Sequence, residues 1–210
     1  MQDDNIASST KPIVFASSNA GKIRELDELL TPLGMHVKSQ VEFGVEPLPE
    51  TAVTFVENAI VKARHASSIT GLAALADDSG LEVDALNGAP GLYTARFAKM
   101  HGAGEGDEAN NIYLLKQLES VEDGKRSARF RSVVVYLRHE NDPSPIIAEG
   151  VWEGRILREV AAGGGFGYDP VFCSNDTNLA TSLLDKSEKN RLSHRGKAVR
   201  ALIDSLSRLG

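Results

Sequence analysis

Apolar residues recur every three or four positions in several parts of the chain, as they do on one face of a helix. The stripe from Ile23 to Leu30 predicts a helix over residues 21–30. The same spacing predicts three further helices, over residues 54–69, over residues 107–119 and from near Ser193 onward. In the third of the four helices the stripe consists of Ile112, Leu115 and Leu118. We therefore expect these apolar side chains to face a core.

Short apolar or alternating runs separate these helices and predict strands. They cover residues 12–16, 36–41, 72–76, 128–137 and 146–157. The last two runs are joined by an Asn-Asp-Pro-Ser-Pro turn, which predicts an antiparallel hairpin.

The run at residues 72–76 ends in two adjacent acids, Asp77 and Asp78, followed by Ser79 and Gly80. This pattern is typical of a buried strand that delivers acids to its carboxyl end, where open α/β sheets bind ligands. Such acids can hold Mg²⁺, or one of them can take a proton from water. The alternative is that Asp-Ser-Gly forms a simple turn.

Residues 17–22 connect the first strand to the first helix and consist mostly of small polar residues. Free backbone N–H groups at a helix start, with Lys22 in the first turn, predict a phosphate site. An N-cap at Ser18 or Asn19 would explain the same residues.

Asn58 and Lys62 lie four residues apart, so they share one face of the helix predicted over residues 54–69. This polar pair could point into a site. A solvated helix face would show the same spacing.

Two segments near the end of the chain carry further candidate chemistry. Four glycines surround Phe166 in residues 163–169, which favours an exposed ring that stacks on a planar ligand. The alternative is a mobile loop with Phe166 in the core.

Residues 185–200 are strongly basic, and His194 and Arg195 oppose the dipole in a helix's first turn. They indicate an anionic ligand, whereas a solvated helix face is the alternative.

The composition is that of an ordinary globular protein, with 41% hydrophobic and 25% charged residues. No apolar run approaches the ~20 residues that span a bilayer, and the acidic, polar first residues are not typical of a signal peptide. Cys173 is the only cysteine, which excludes an intrachain disulfide and fits a cytoplasmic protein. The net charge of −6 argues against a general nucleic-acid binder.

The length of 210 residues suits one large domain or two small lobes. Residues 1–10 are polar and lack periodicity, which predicts a disordered extension. Residues 11–210 are then one domain.

Four blocks occur in order: S-S-N-A-G-K, D-D-S-G-L with G-A-P-G-L-Y-T-A-R-F, G-G-F-G-Y-D-P-V-F, and S-H-R-G-K-A. Together they resemble the inosine triphosphate pyrophosphatase family, the dITP/XTP pyrophosphatases. The resemblance implies an α/β fold, with an elongated mixed central sheet, flanking helices and a substrate cleft between two lobes. It implies a homodimer that needs Mg²⁺ and hydrolyses ITP, dITP and XTP to the monophosphate and pyrophosphate.

The resemblance also assigns roles to individual residues. Asp78 matches the family's catalytic proton acceptor, which is also a metal ligand. Glu50 matches a second acid near the metal, and Ser79 matches a substrate contact. The positions that contact the triphosphate are Ser17, Ser18, Asn19, Ala20, Gly21 and Lys22. The loop that binds the purine ring is Phe166, Gly167, Tyr168 and Asp169. Further substrate contacts are Lys189, His194 and Arg195.

Two other functions stay open at this level. One is a related Maf-like pyrophosphatase that acts on pyrimidine nucleotides. The other is a nucleotide-binding protein without turnover, against which the acids Asp77 and Asp78 argue, because an anionic ligand gains nothing from carboxylates unless a metal or a base is needed.

Overall fold

The structure, a computed structural model, describes residues 12–208. The predicted disordered extension at residues 1–10 lies outside the described residues. Six strands are present in the described part: β1 Ile13–Phe15, β2 Val37–Ser39, β3 Ala74–Val83, β4 Ser127–Leu137, β5 Ile146–Ile156 and β6 Phe172–Ser174. The helices there are α1 Ala20–Leu30, α2 Phe55–Thr70, α3 Phe97–Met100, α4 Gly106–Gln117, α5 Lys186–Leu192 and α6 His194–Ser207. Short 3-10 turns connect several of these elements.

The six strands form one mixed sheet in the order β2-β1-β3-β4-β5-β6. β1 pairs in parallel with β2 and β3, whereas β3, β4, β5 and β6 pair in antiparallel fashion. The predicted α/β class with a mixed central sheet flanked by helices is therefore confirmed. The predicted hairpin is also confirmed, because β4 and β5 pair from Tyr136 and Ile146 at the turn to Ser127 and Arg155 at the far end.

Helices cover both faces of the sheet around strands β1, β3, β4 and β5. Leu26 of α1 and Val199 of α6 pack with Phe15 on one face. Small residues of α2, such as Ala59 and Ala63, pack on the other face. These two layers fix where α1, α2 and α6 present their polar side chains.

A third apolar cluster lies at the other end of the sheet. Trp152 and Phe172 are fully buried there, and Leu114 of α4 packs in the same cluster. The core is thus divided along the sheet, and the division of the chain into two lobes stays a prediction.

Helix α6 lies directly on β5 because Gly150 has no side chain. A Cβ built on Gly150 would lie 2.0 Å from the His194 carbonyl oxygen and 2.6 Å from the Ala198 amide nitrogen. Any larger residue would push the start of α6 away from the sheet. Gly150 therefore sets the position of His194 and Arg195.

Two predictions about these elements need correction. The strand predicted over residues 36–41 covers only Val37–Ser39, and a 3-10 turn, Gln40–Phe43, follows at once. Ile112 is 57% exposed, while Asn110, Asn111 and Leu114 are the buried residues of α4. The helical period was right, but buried amides shift the inward face of α4 away from Ile112.

Among residues 12–208, no helix is both long and apolar enough to cross a membrane.

Candidate active site

The acidic pair lies in the middle of β3, just beyond the end of its parallel neighbour. The pairing of β1 with β3 ends at Phe15 and Leu75. β3 runs on through Asp77 and Asp78 to Val83 and is paired with β4 over its whole length. The predicted strand end and the alternative of an Asp-Ser-Gly turn are both wrong. The acids do lie beyond the carboxyl end of a strand, but that strand is β1.

Asp77 and Asp78 point to opposite faces of the sheet, because successive residues of a strand alternate. Asp77 pairs with Lys22 and Arg195, whereas Asp78 pairs with Lys62 of α2. The two carboxylates therefore cannot hold one cation between them, and the hypothesis of a shared site on adjacent acids is wrong.

Asp77 joins two helices at a completely enclosed carboxylate. It lies 2.7 Å from Lys22 Nζ of α1 and 3.2 Å from Arg195 Nε of α6, and it accepts a hydrogen bond from Ser132 Oγ at 2.7 Å. Burial alone would raise the pKa of Asp77, but the charges of Lys22 and Arg195 hold it far below its usual range. Asp77 is thus a permanent anion that draws two cations together, which explains why a cation is tolerated in the first turn of α6.

Asp78 lies in a different environment, with one oxygen paired and one not. Its Oδ1 accepts from Lys62 Nζ at 2.8 Å, and the same ammonium lies 3.1 Å from Glu50 Oε1. Its Oδ2 is buried and has no hydrogen-bond partner among the described residues. Burial raises the pKa of Asp78, and the Lys62 charge only partly offsets this effect. Asp78 is therefore a carboxylate that binds a proton more readily than usual.

Glu50 and Lys62 complete this group. Burial would raise the pKa of Glu50, but Lys62 and Arg96 lower it overall, so Glu50 is ionised. Burial would lower the pKa of Lys62, yet Asp78 and Glu50 raise it overall. The site therefore holds two acids around one ammonium.

Lys62 is the main residue that the sequence did not assign to the site. Its spacing from Asn58 was the available signal, and that signal equally fits a solvated face. In the structure both residues reach the site. Lys62 enters it, and Asn58 accepts from the Ala52 amide at 3.1 Å, which holds the loop that carries Glu50. From nearby, Asn58 also slightly offsets the rise that burial causes in the pKa of Asp78.

In the turn between β1 and α1, backbone amides donate hydrogen bonds to side chains of the same turn. Asn19 Oδ1 accepts from the amides of Gly21 and Lys22 at 3.0 and 3.1 Å, and Ser17 Oγ accepts from the Asn19 amide at 3.1 Å. The N-cap alternative is correct for Asn19, and the expectation of free amides at Asn19, Gly21 and Lys22 is wrong. Ser18 is exposed, and Ala20 is the first residue of α1.

The Lys22 ammonium turns inward from the start of α1. Besides Asp77 it contacts Ser79 Oγ at 3.4 Å. The structure thus brings Lys22 and Ser79, predicted separately to bind substrate, to the same face of β3.

Phe166 is exposed, at 59% of its surface, so the alternative that places it in the core is wrong. The Lys189 ammonium lies 4.6 Å from the centre of its ring and also pairs with Asp169. Asp169 in turn accepts from the Phe166 amide at 2.9 Å. Tyr168 points the other way: it is buried, and its hydroxyl donates to the Thr94 carbonyl at 2.9 Å.

His194 stacks on Phe130, with ring centres 4.8 Å apart and 12° between the planes. Burial, helped by the Arg195 charge, lowers the pKa of His194 well below its usual range, so the ring is neutral at pH 7. Its Nδ1 is buried without a hydrogen-bond partner in the described part of the chain. A neutral imidazole of this kind can donate or accept one hydrogen bond to a ligand.

Comparison of the whole sequence with known proteins identifies the family. The sequence profile of the Ham1 family matches residues 13–205. The chain belongs to the Ham1 family. A dITP/XTP pyrophosphatase of Thioalkalivibrio sulfidiphilus is 56% identical over 194 residues, which cover 92% of this chain and 97% of the relative. A dITP/XTP pyrophosphatase of Vibrio parahaemolyticus is 52% identical, over 94% of this chain and 97% of the relative.

Solved Ham1 structures agree with the fold. A HAM1 protein from Coxiella burnetii superposes with a TM-score of 0.88 at 46% identity, over 95% of this chain and 100% of the other. The Ham1 protein of Staphylococcus aureus superposes with a TM-score of 0.84 at 35% identity, over the same shares of the two chains. The resemblance inferred from the four sequence blocks is therefore confirmed.

In this Ham1-family chain eight of the predicted site residues, together with Asp77 and Lys62, form three groups of contacts. The first surrounds Asp77 with Lys22, Ser79 and Arg195. The second surrounds Lys62 with Glu50 and Asp78. The third consists of Phe166, Asp169 and Lys189. The roles of these residues toward a substrate stay predictions.

Proposed function

We propose that this chain hydrolyses ITP, dITP and XTP, the triphosphates of deaminated purines, to the nucleoside monophosphate and pyrophosphate. The observation that carries the proposal is Asp78, a buried carboxylate with one unpaired oxygen and a raised pKa, next to Lys62. The family membership and the dITP/XTP pyrophosphatases among its relatives support the same reaction.

Asp78 is the general base in this scheme. A water oxygen bonds to the α-phosphorus, the bond from that phosphorus to the bridging oxygen of pyrophosphate breaks, and the water proton passes to Asp78 Oδ2. A base whose pKa is raised toward the working pH accepts a proton more readily in the transition state. Its paired oxygen, held by Lys62, keeps the carboxylate oriented.

Lys22 and Arg195 approach from the other face of β3 and provide positive charge for a triphosphate that lies along the edge of β3 beyond the end of β1. Positioning and charge neutralisation supply most of the catalysis in phosphoryl transfer. Asp77 holds both cations in place before a substrate binds. We infer that phosphate oxygens compete with Asp77 for the hydrogen bonds that Lys22 and Arg195 donate.

Mg²⁺ is the cofactor we propose, with Asp78 and Glu50 as its protein ligands. Within residues 12–208 no group of three or more His, Cys, Asp or Glu side chains is gathered as around a metal held by protein alone. Mg²⁺, however, is usually bound by one or two carboxylates together with substrate phosphates. Glu50 and Asp78 Oδ1 fit this role, because both accept from the same ammonium and so lie together, and Asp78 Oδ2 stays available for the water proton. When bound, the ion supplies charge neutralisation on the phosphates.

The purine ring of the substrate is recognised by the third group, Phe166, Asp169 and Lys189, together with His194. Phe166 offers an exposed ring for stacking, and Lys189 and His194 offer hydrogen-bond donors. Hypoxanthine and xanthine carry an oxygen acceptor at position 6, whereas adenine carries an amino donor there. A pocket rich in donors therefore favours the deaminated purines over adenine.

The experiment is a pyrophosphate-release assay with ITP, XTP, dITP, GTP, ATP and UTP, with and without Mg²⁺. We expect ITP, XTP and dITP to be preferred, and Asp78→Asn to lower their turnover by ~10²–10⁴. Asp204→Asn is the matched control, because Asp204 is exposed on α6 and its side chain makes no hydrogen bond or ion pair within residues 12–208. Preference for UTP would favour the Maf-like alternative, and turnover by Asp78→Asn near that of the control would exclude Asp78 as the base.

We further propose that the protein is a cytoplasmic homodimer whose partners are these nucleotides rather than nucleic acid or membranes. The single buried Cys173 and the net charge of −6 support this setting. Sedimentation of the purified chain tests the dimer directly, and a monomer at micromolar concentration would contradict it.

A further inference from the structure

The loop that carries Phe166 is tied to helix α4 through both polar groups of Gly167. The Gly167 amide donates to Asp107 Oδ2 at 2.6 Å, and the Gly167 carbonyl accepts from Asn111 Nδ2 at 2.9 Å. Asp107 and Asn111 are four residues apart, so one face of α4 presents both. These two hydrogen bonds act on the residue next to the Phe166 ring.

The other contacts of this loop come from Asp169, Ser182 and Lys189 rather than from α4. Residues 162–166 are exposed, and the Phe166 amide donates to Asp169 while Lys189 lies over the Phe166 ring. Ser182 bonds to the Gly164 amide and to the Ala162 carbonyl. A cavity of about 470 Å³ lies beside the loop and α4, lined by both and by Val160. Side-chain packing therefore does not fill this space, and the hydrogen bonds to Gly167 set the distance between loop and helix.

Asn111 is an unfavourable residue for the stability of the fold. It is 5% exposed, and its Oδ1 is buried without a partner in the described part of the chain. A buried acceptor without a partner lowers stability, and an apolar side chain at this helix position would avoid that cost. What the amide provides in return is the donor for Gly167.

We propose that Asp107 and Asn111 are positioning residues that fix the Phe166 ring for stacking on the purine. The inference rests on the proposed function, because it assigns the ring to the base. Asp107 and Asn111 act through the Gly167 peptide and do not touch the phosphates. Their loss should therefore weaken recognition of the base and leave the hydrolytic step, which depends on Asp78, nearly unchanged.

The test uses Asp107→Ala and Asn111→Ala, with Asp107→Asn as the conservative variant that keeps an acceptor for the Gly167 amide. Glu108→Ala is the matched control. Glu108 is the next acid on α4, lines the same cavity and makes no hydrogen bond or ion pair within residues 12–208. We expect KM for ITP to rise about tenfold in the alanine variants, at nearly unchanged kcat, and to recover largely in Asp107→Asn.

Two further measurements do not depend on turnover. Hydrogen exchange of the peptide covering residues 158–169 should be faster in Asp107→Ala and Asn111→Ala than in Glu108→Ala. Calorimetry should show weaker binding of inosine monophosphate in the same variants and unchanged binding of inorganic tripolyphosphate.

Unchanged exchange together with unchanged inosine monophosphate affinity would overturn the inference. An equal effect of Glu108→Ala would also overturn it, as would a fall in kcat and melting temperature at constant KM, which would indicate a purely structural role. If the wild type fails to hydrolyse ITP, the proposed function fails, whereas the exchange experiment still decides whether Asp107 and Asn111 hold the loop.

Discussion

The two neighbouring acids of β3 should respond in opposite ways when each is changed to asparagine. Asp77→Asn removes an enclosed carboxylate that pairs with Lys22 and Arg195. Breaking a buried ion pair by removing one partner costs ~3–5 kcal/mol, because the remaining charge stays in a poorly solvated site. The Lys22 side chain is 21% exposed and can turn partly to water, so we expect the lower end, about 3 kcal/mol.

Asp78→Asn should leave the free energy of unfolding unchanged or raise it. Burial raises the pKa of Asp78, so the fold favours its uncharged form, and Lys62 keeps Glu50 as an ion-pair partner when Asp78 becomes neutral. Turnover should nevertheless be lost, because the base is gone. Stability and activity therefore separate at two adjacent residues.

Urea denaturation followed by circular dichroism, with pyrophosphate release on the same samples, measures both quantities. For a chain of 210 residues, a loss of about 3 kcal/mol corresponds to a fall of roughly 6–12 °C in Tm. Asp204→Asn again serves as the exposed control. Equal destabilisation by Asp77→Asn and Asp78→Asn would refute the assignment of opposite environments to the two carboxylates.

The pH dependence of unfolding supplies a second check on Asp77. The pKa of Asp77 in the folded state lies far below the unfolded value of about 3.9. Its contribution to stability is therefore complete above about pH 5 and decreases as the pH falls through and below 4. The wild type should lose stability more steeply than Asp77→Asn in this range, and parallel curves would contradict the argument.

Three further predictions concern the substrate site. Lys22→Ala should weaken binding of ITP far more than of inosine in calorimetry, because Lys22 acts on phosphate; equal losses would contradict this placement, with the exposed Lys38→Ala as control. The rate of ITP hydrolysis should rise between about pH 6 and pH 9 because water is deprotonated more easily, while neutral His194 does not titrate there; a falling profile would argue against the base mechanism. Gly150→Ala should cost about 1–3 kcal/mol and reduce ITP turnover, since its Cβ would lie 2.0 Å from the His194 carbonyl oxygen; unchanged melting and turnover would show that α6 does not rest on Gly150.

The sequence alone determined the features that depend on neighbours along the chain. The helix α1 and the β4–β5 hairpin follow from local spacing and turn chemistry, which act over a few residues, whereas the cap at Asn19 was one of two interpretations that the turn allowed. The exposure of Phe166 also followed from its flanking glycines, because they leave the ring without local packing partners. The family resemblance was equally visible, since it rests on short blocks of residues.

The tertiary structure decided which of these residues meet. Asp77 and Arg195 lie 118 positions apart in the chain and meet only because α6 rests on the sheet at Gly150. The opposite environments of Asp77 and Asp78 depend on β3 continuing beyond β1, and no local pattern distinguishes that from a strand end. Lys62 likewise could face water or the site, and packing of the alanines of α2 on the sheet settled its direction. Periodicity fixes the face on which a side chain lies, whereas only long-range packing fixes what that face meets.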